Sequence, residues 1–106
     1  MPDKSPRRQM LEASLAEEPG DTFLRYGLAM QCLRDGDAAE GRERLLGLIV
    51  DHPDDQVAAY QQLGQSYMES GELPEARAIL KTGITKANAR GDSHAAAEMS
   101  GFLDSI

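Results

Sequence analysis

Cysteine is almost missing from the chain. Cys32 is the only one, so no internal disulfide can form and nothing points to an oxidising compartment. Long apolar runs are missing too. The longest, Leu45-Leu46-Gly47-Leu48-Ile49-Val50, is far too short to span a bilayer. Arg7 and Arg8 stand near the N-terminus with no apolar stretch behind them, which is not the pattern of a secretory signal. The expected compartment is the cytoplasm. Cations are scarce: 11 Lys and Arg stand against 18 Asp and Glu, a formal charge of −7. Such a surface repels phosphate, so nucleic-acid partners and anionic membranes are not expected. No segment alternates apolar and polar residues over a useful length, which leaves strands without support.

Sites of chemistry are equally hard to assemble. His52 and His94 lie 42 residues apart, and no His-x3-His or Cys-x2-Cys spacing exists. His52 has Asp51, Asp54 and Asp55 nearby, but these acids sit at a turn, where helix capping accounts for them. His94, at the start of the last helix, reads as a packed or surface residue, and Cys32 as a buried thiol rather than a nucleophile. Gly27, Gly41, Gly47, Gly64 and Gly83 fall inside helical patterns and form no phosphate loop. Glu40 and Glu43 with Arg42 and Arg44 read as a solvated helix face. With no set of polar groups converging on a pocket, the expectation is no enzyme, no metal and no cofactor.

What the chain does contain is repetition. Its 106 residues, 41% hydrophobic and 27% charged, suit one small soluble domain. Three markers recur at offsets of 34 or 35 residues: Pro19-Gly20-Asp21 with Pro53-Asp54-Asp55, Gly36-Asp37 with Gly71-Glu72, and Leu28-Ala29 plus Cys32 with Leu63-Gly64 plus Tyr67. A weaker echo follows at Asn88-Ala89-Arg90. A unit of this length holds two helices of about 12–15 residues and two turns. Apolar or small residues at Val57, Tyr60, Leu63, Gly64 and Tyr67, at Leu73, Ala76, Leu80, Gly83, Ile84 and Ala87, and at Ala38, Gly41, Leu45, Leu48 and Ile49 follow helical spacing. Asp21, Asp55 and Asp92 are candidate N-caps, Gly71 and Gly91 candidate stops, and Pro74 a first-turn proline. Helices are expected at Arg7–Glu17, Thr22–Arg34, Ala38–Asp51, Gln56–Ser70, Leu73–Ala89 and Ser93–Ser105. Residues 1–6, with Pro2 and Pro6, are expected to be disordered.

Tyr60-x2-Leu63-Gly64-x2-Tyr67 resembles the W-x2-L-G-x2-Y signature of the tetratricopeptide repeat family, with Tyr60 in the tryptophan's place. Ala76 and Leu80 match its A-x3-F, and Gly83 takes a second small site. Repeat 1 (22–55) is looser, with Leu28, Ala29 and Cys32 in place of L-G-x2-Y and Arg25 where an aromatic is usual. Gly41 and Leu45 keep its small-then-large pair, and Pro53 closes it. Repeat 2 (56–90) follows it, and the pair is flanked by a half repeat (7–21) and a capping helix (91–106). The resemblance implies an all-α domain over 7–106, with about six helices stacked as antiparallel helix-turn-helix pairs in a short right-handed α-solenoid. Two full repeats are few, so the flanking helices matter to its stability.

The family's first helices line a concave face that takes ligands, and register carries that role onto Phe23, Tyr26, Met30 and Leu33, then Ala58, Gln61, Gln65 and Met68, then Ala95, Met99 and Phe102. Some members hold a C-terminal carboxylate with Lys, Arg and Asn; the corresponding places here hold Tyr26, Met30, Gln62, Asp92 and Ala96, without a cation. The implied partner is a protein or peptide presenting an apolar or amphipathic segment, and methionines suit such an adaptable surface. Three alternatives remain open: the same residues are core, Met99 and Phe102 most of all, the face pairs with itself in a homodimer, or the chain is a small enzyme or metal-binding protein after all.

Overall fold

Six helices make up the computed structural model, which describes residues 4–106, and no strand occurs among them. They are α1 (Pro6–Glu17), α2 (Thr22–Arg34), α3 (Ala38–Asp51), α4 (Val57–Glu69), α5 (Leu73–Ala89) and α6 (Ser93–Asp104). Side-chain caps start several of them by satisfying amides that have no partner within the helix. Ser5 Oγ accepts from the Arg8 amide at 3.1 Å, Asp21 from Leu24 at 3.0 Å, Asp37 from Glu40 at 3.3 Å and Asp92 from Ala95 at 3.0 Å. Of the segment 1–6 expected to lack order, residues 1–3 lie outside the described residues. Residues 4–6 carry the start of α1, with Ser5 as its cap and Pro6 at its first position.

Three helices stop in the same way. Gly36, Gly71 and Gly91 take φ of 85°, 77° and 73°. The amides just beyond them, of Asp37, Glu72 and Asp92, reach back to the carbonyls of Cys32, Tyr67 and Ala87 at 2.9 Å each. That is the left-handed helix stop in which orphan carbonyls are satisfied by the turning chain.

The chain divides into two compact units, Met1–Leu48 and Ile49–Ile106, with the boundary inside α3. In the first, α1 packs on α2, and Leu28, Ala29, Cys32, Leu45 and Leu48 are fully buried. A Cβ on Gly41 would stand 2.6 Å from Leu33 Cδ2 and 3.2 Å from the Ala29 carbonyl oxygen, so α2 and α3 approach closely at that point. In the second, Tyr60, Leu80, Ala87, Ala96 and Met99 form the buried cluster, with Ile49, Ile84 and Phe102 packed against it. Its contacts repeat a small residue against a large one. A Cβ on Gly64 would meet Leu80 Cδ2 at 2.6 Å, and one on Gly83 would meet Met99 Sδ at 2.6 Å and Tyr60 Cβ at 2.8 Å. Helix backbones can approach this closely only where such small residues face larger ones. The Tyr60 hydroxyl, carried into the core, donates to the Pro53 carbonyl at 2.8 Å, giving its buried polar end a partner.

Candidate functional site

α2 carries its candidate residues three and four apart, which places them on one stripe. Phe23 begins the stripe and is 84% exposed. Tyr26, Met30 and Leu33 follow, each half-buried. Burial pushes the Tyr26 phenol upward in pKa, with Arg34 pulling the other way. Leu33 turns towards α3, where it closes over Gly41. The stripe therefore runs from an open aromatic end to a packed aliphatic end.

In the second unit, Gln61, Gln65 and Met68 on α4 are half-buried and Ala58 is exposed. Met68 leans on the core cluster. Gln61 Nε2 donates to Glu98 on α6 at 3.0 Å, and His94 pairs with the same carboxylate one turn away. Here the structure corrects the sequence reading of α6. Met99 is fully buried against Gly83, Ala95 is buried, and Phe102 packs on the core, so these residues are the inner face of the helix. The outer face is His94, Ala97, Glu98 and Gly101. The cause is Gly83: the room left by its missing side chain is filled by the Met99 thioether, and that contact sets the rotation of α6.

The sequence reading missed a polar cluster in the first unit altogether. Arg8 is the only buried residue of α1, at 1% exposure. Its Nη2 lies 3.1 Å from Asp37 Oδ2 and 2.9 Å from Glu40 Oε1. Its Nε is 4.0 Å from Glu12 and has no hydrogen-bond acceptor among the described residues. Burial opposes the Arg8 charge, but the bonds to Asp37 and Glu40 outweigh it and hold the pKa above the ordinary arginine value. Glu40 also accepts from Arg44 Nε at 2.9 Å, which with Arg8 lowers its pKa against the cost of burial. Cys32 Sγ stands 3.5 Å from Glu40 Oε2, and burial pushes this thiol up. Beside them Asp35 accepts from the Ser5 hydroxyl at 2.9 Å, the Ser5 amide at 3.2 Å and Gln31 Nε2 at 2.9 Å, and the Gln31 bond leads in drawing its pKa down. The signal in sequence would have been Arg8 aligned with Asp37 and Glu40, which only the fold brings together.

A charged cleft of about 410 Å³ is lined by Arg25, Glu40, Glu43, Arg44 and Gly47. Its signs are mixed, and Glu40 and Arg44 already pair with each other. His52 Nδ1 is 3.9 Å from Asp55, and among the described residues no three His, Cys, Asp or Glu side chains gather as a metal site would require. No described helix is long and apolar enough to cross a membrane.

A TPR repeat-containing protein of Pseudomonas aeruginosa is 33% identical over 93 residues, covering 88% of this chain and 88% of its own length. The chain belongs to the tetratricopeptide repeat family. No family model matches it. A protein of Bordetella parapertussis, solved in solution, superposes with a TM-score of 0.82 at 24% identity, over 94% of this chain and 86% of its own; that likeness establishes the shared fold. Within the tetratricopeptide frame the two repeats bury corresponding residues. Leu28 and Leu63, Ala29 and Gly64, Gly41 and Ala76, and Leu45 and Leu80 are all inside. Tyr60, standing for the signature tryptophan, is 2% exposed, whereas Arg25 at the matching place of the first repeat is only half-buried. The first-repeat core thus has no aromatic at that place.

Proposed function

We propose that the protein is a non-enzymatic interaction module that holds an apolar or amphipathic segment of another polypeptide on the outward stripes of its first-of-pair helices. In the first unit Phe23, Tyr26 and Met30 supply that contact on α2, with Leu33 closing its packed end; in the second unit Gln61, Gln65 and Met68 form a stripe of their own on α4. The observation that carries this reading is Phe23. A phenylalanine left 84% exposed beside half-buried Tyr26 and Met30 is apolar surface that the fold itself leaves uncovered. A buried ring of this kind contributes about 1.5–3 kcal/mol before the costs of association. The glutamines of α4 add hydrogen-bonding groups that suit a partner's backbone or polar side chains.

Affinity capture with wild type beside Phe23→Asp tests this. Because Phe23 has little to lose from the fold, the variant keeps the helical circular dichroism of the wild type. A protein retained by wild type and lost from the variant supports the stripe as the contact; an identical set of captured proteins removes it. The same exposed ring supports a second reading, a homodimer that consumes this surface. Light scattering over a dilution series separates the two, since a monomer at every concentration rejects the dimer.

A further inference from the structure

We infer that α1 is a latch held shut by Arg8, and that it opens ahead of the rest of the first unit to uncover Cys32. The other helices are seated by apolar residues, Leu28 and Cys32 in α2, Leu45 and Leu48 in α3. In α1 the single buried residue is an arginine, while Met10 is 59% exposed. The helix does place Leu11 at 3.7 Å from where a Cβ on Gly27 would lie, an ordinary contact. Leu11 and Leu15 are half-buried, and the helix's polar attachments run from Arg8 to Asp37 and Glu40 and from Ser5 to Asp35, with Gln31 bracing that carboxylate from α2. These bonds converge on the α2–α3 turn and the first turn of α3.

A buried guanidinium parted from its carboxylates is left as an uncompensated charge, so it either keeps them or moves out to water. Elements with few buried apolar residues are drawn from the low end of local stability. Cys32 lies beneath this seat, fully buried, with its sulfur against the Glu40 carboxylate that Arg8 holds. When α1 lifts, Arg8 leaves, and α2 presents Cys32 and Gln31 beside the acidic groups Asp35, Asp37 and Glu40. Arg44 remains with Glu40, and Glu12 and Lys4 depart with the α1 segment.

The reaction of native Cys32 with dithionitrobenzoate at pH 8 reads the opening directly, because the chain has no other thiol. Asp37→Asn is the decisive variant: asparagine still caps α3 but removes one carboxylate from Arg8. Labelling should speed by about tenfold or more, as expected for losing one charge-assisted hydrogen bond, while hydrogen exchange at the Leu45 amide in α3 stays as slow as in wild type. Arg8→Ala should be faster still, and Arg8→Lys should lie between it and wild type. Unchanged labelling in Asp37→Asn overturns the inference. So does labelling that rises in step with Leu45 exchange, because the thiol would then be reached by unfolding of the whole unit. Should Arg8→Ala fail to fold, Asp37→Asn alone decides between these results.

Discussion

Gly83 and Gly101 lie in consecutive helices, and the space around each gives the same substitution opposite signs. A methyl group on Gly83 would stand 2.8 Å from Tyr60 Cβ, an atom that cannot move without its backbone, and 2.6 Å from Met99 Sδ, which can. Alanine gains about 1 kcal/mol of helix propensity over glycine, but overpacking a tight contact costs about 1–3 kcal/mol. Gly83→Ala should therefore destabilise by about 1 kcal/mol net. Around Gly101 nothing lies within 4 Å of the added carbon, so Gly101→Ala keeps the propensity gain and should stabilise by about 0.5–1 kcal/mol. Urea unfolding checks both: the midpoints should move in opposite directions with little change in slope.

At the scale of the element, helix ends follow from a few residues, and most of them were legible in sequence. α2, α3 and α5 begin and end at the residues expected, because each is bounded by a strong local signal: Asp21 before α2, Gly36 and Asp37 between α2 and α3, Pro74 in the first turn of α5. α4 loses one expected residue at each end. Gln56 has φ −106° and ψ 55° and makes no side-chain cap, so it does not enter the helix. What was not legible depended on pairing across the fold. An alanine-rich helix such as α6 can present either of two stripes, and the choice falls to Met99 meeting Gly83. Arg8 could be recognised as internal only once Asp37 and Glu40 were placed beside it. The helix stops yield a prediction at this scale. Gly71 holds φ 77° with no neighbour within 4 Å of an added Cβ, so Gly71→Ala meets no clash and is penalised by backbone conformation alone. The cost should be about 1–2 kcal/mol, seen as a lower urea midpoint.

For the whole molecule, charge acts in two opposed ways as pH changes. The chain carries −7 at neutral pH, and self-repulsion is stronger in the compact state than in the expanded one. Lowering the pH from 7.5 towards the isoelectric point near 4.7 relieves that repulsion and should raise Tm. Below it the opposite effect takes over. Asp35, held down by Gln31, Glu40, held down by Arg44, and Asp54, held down by Lys86, all have folded pKa values below their ordinary ones. A carboxyl lowered on folding binds fewer protons in the folded state, so its contribution is present above the ordinary carboxylate range near about 4 and is lost as pH falls through the folded value. Tm should therefore pass through a maximum at about pH 5 and fall steeply under about pH 4. Two controls separate the effects. Added salt at pH 7.5 screens surface repulsion and should raise Tm there. Glu40→Gln removes one of the titrating groups and should flatten the acid limb while lowering Tm at neutral pH, since Arg8 and Arg44 lose a charged partner. A Tm that climbs steadily down to pH 3 would mean that net repulsion governs the molecule and that the Arg8 cluster contributes little to its fold.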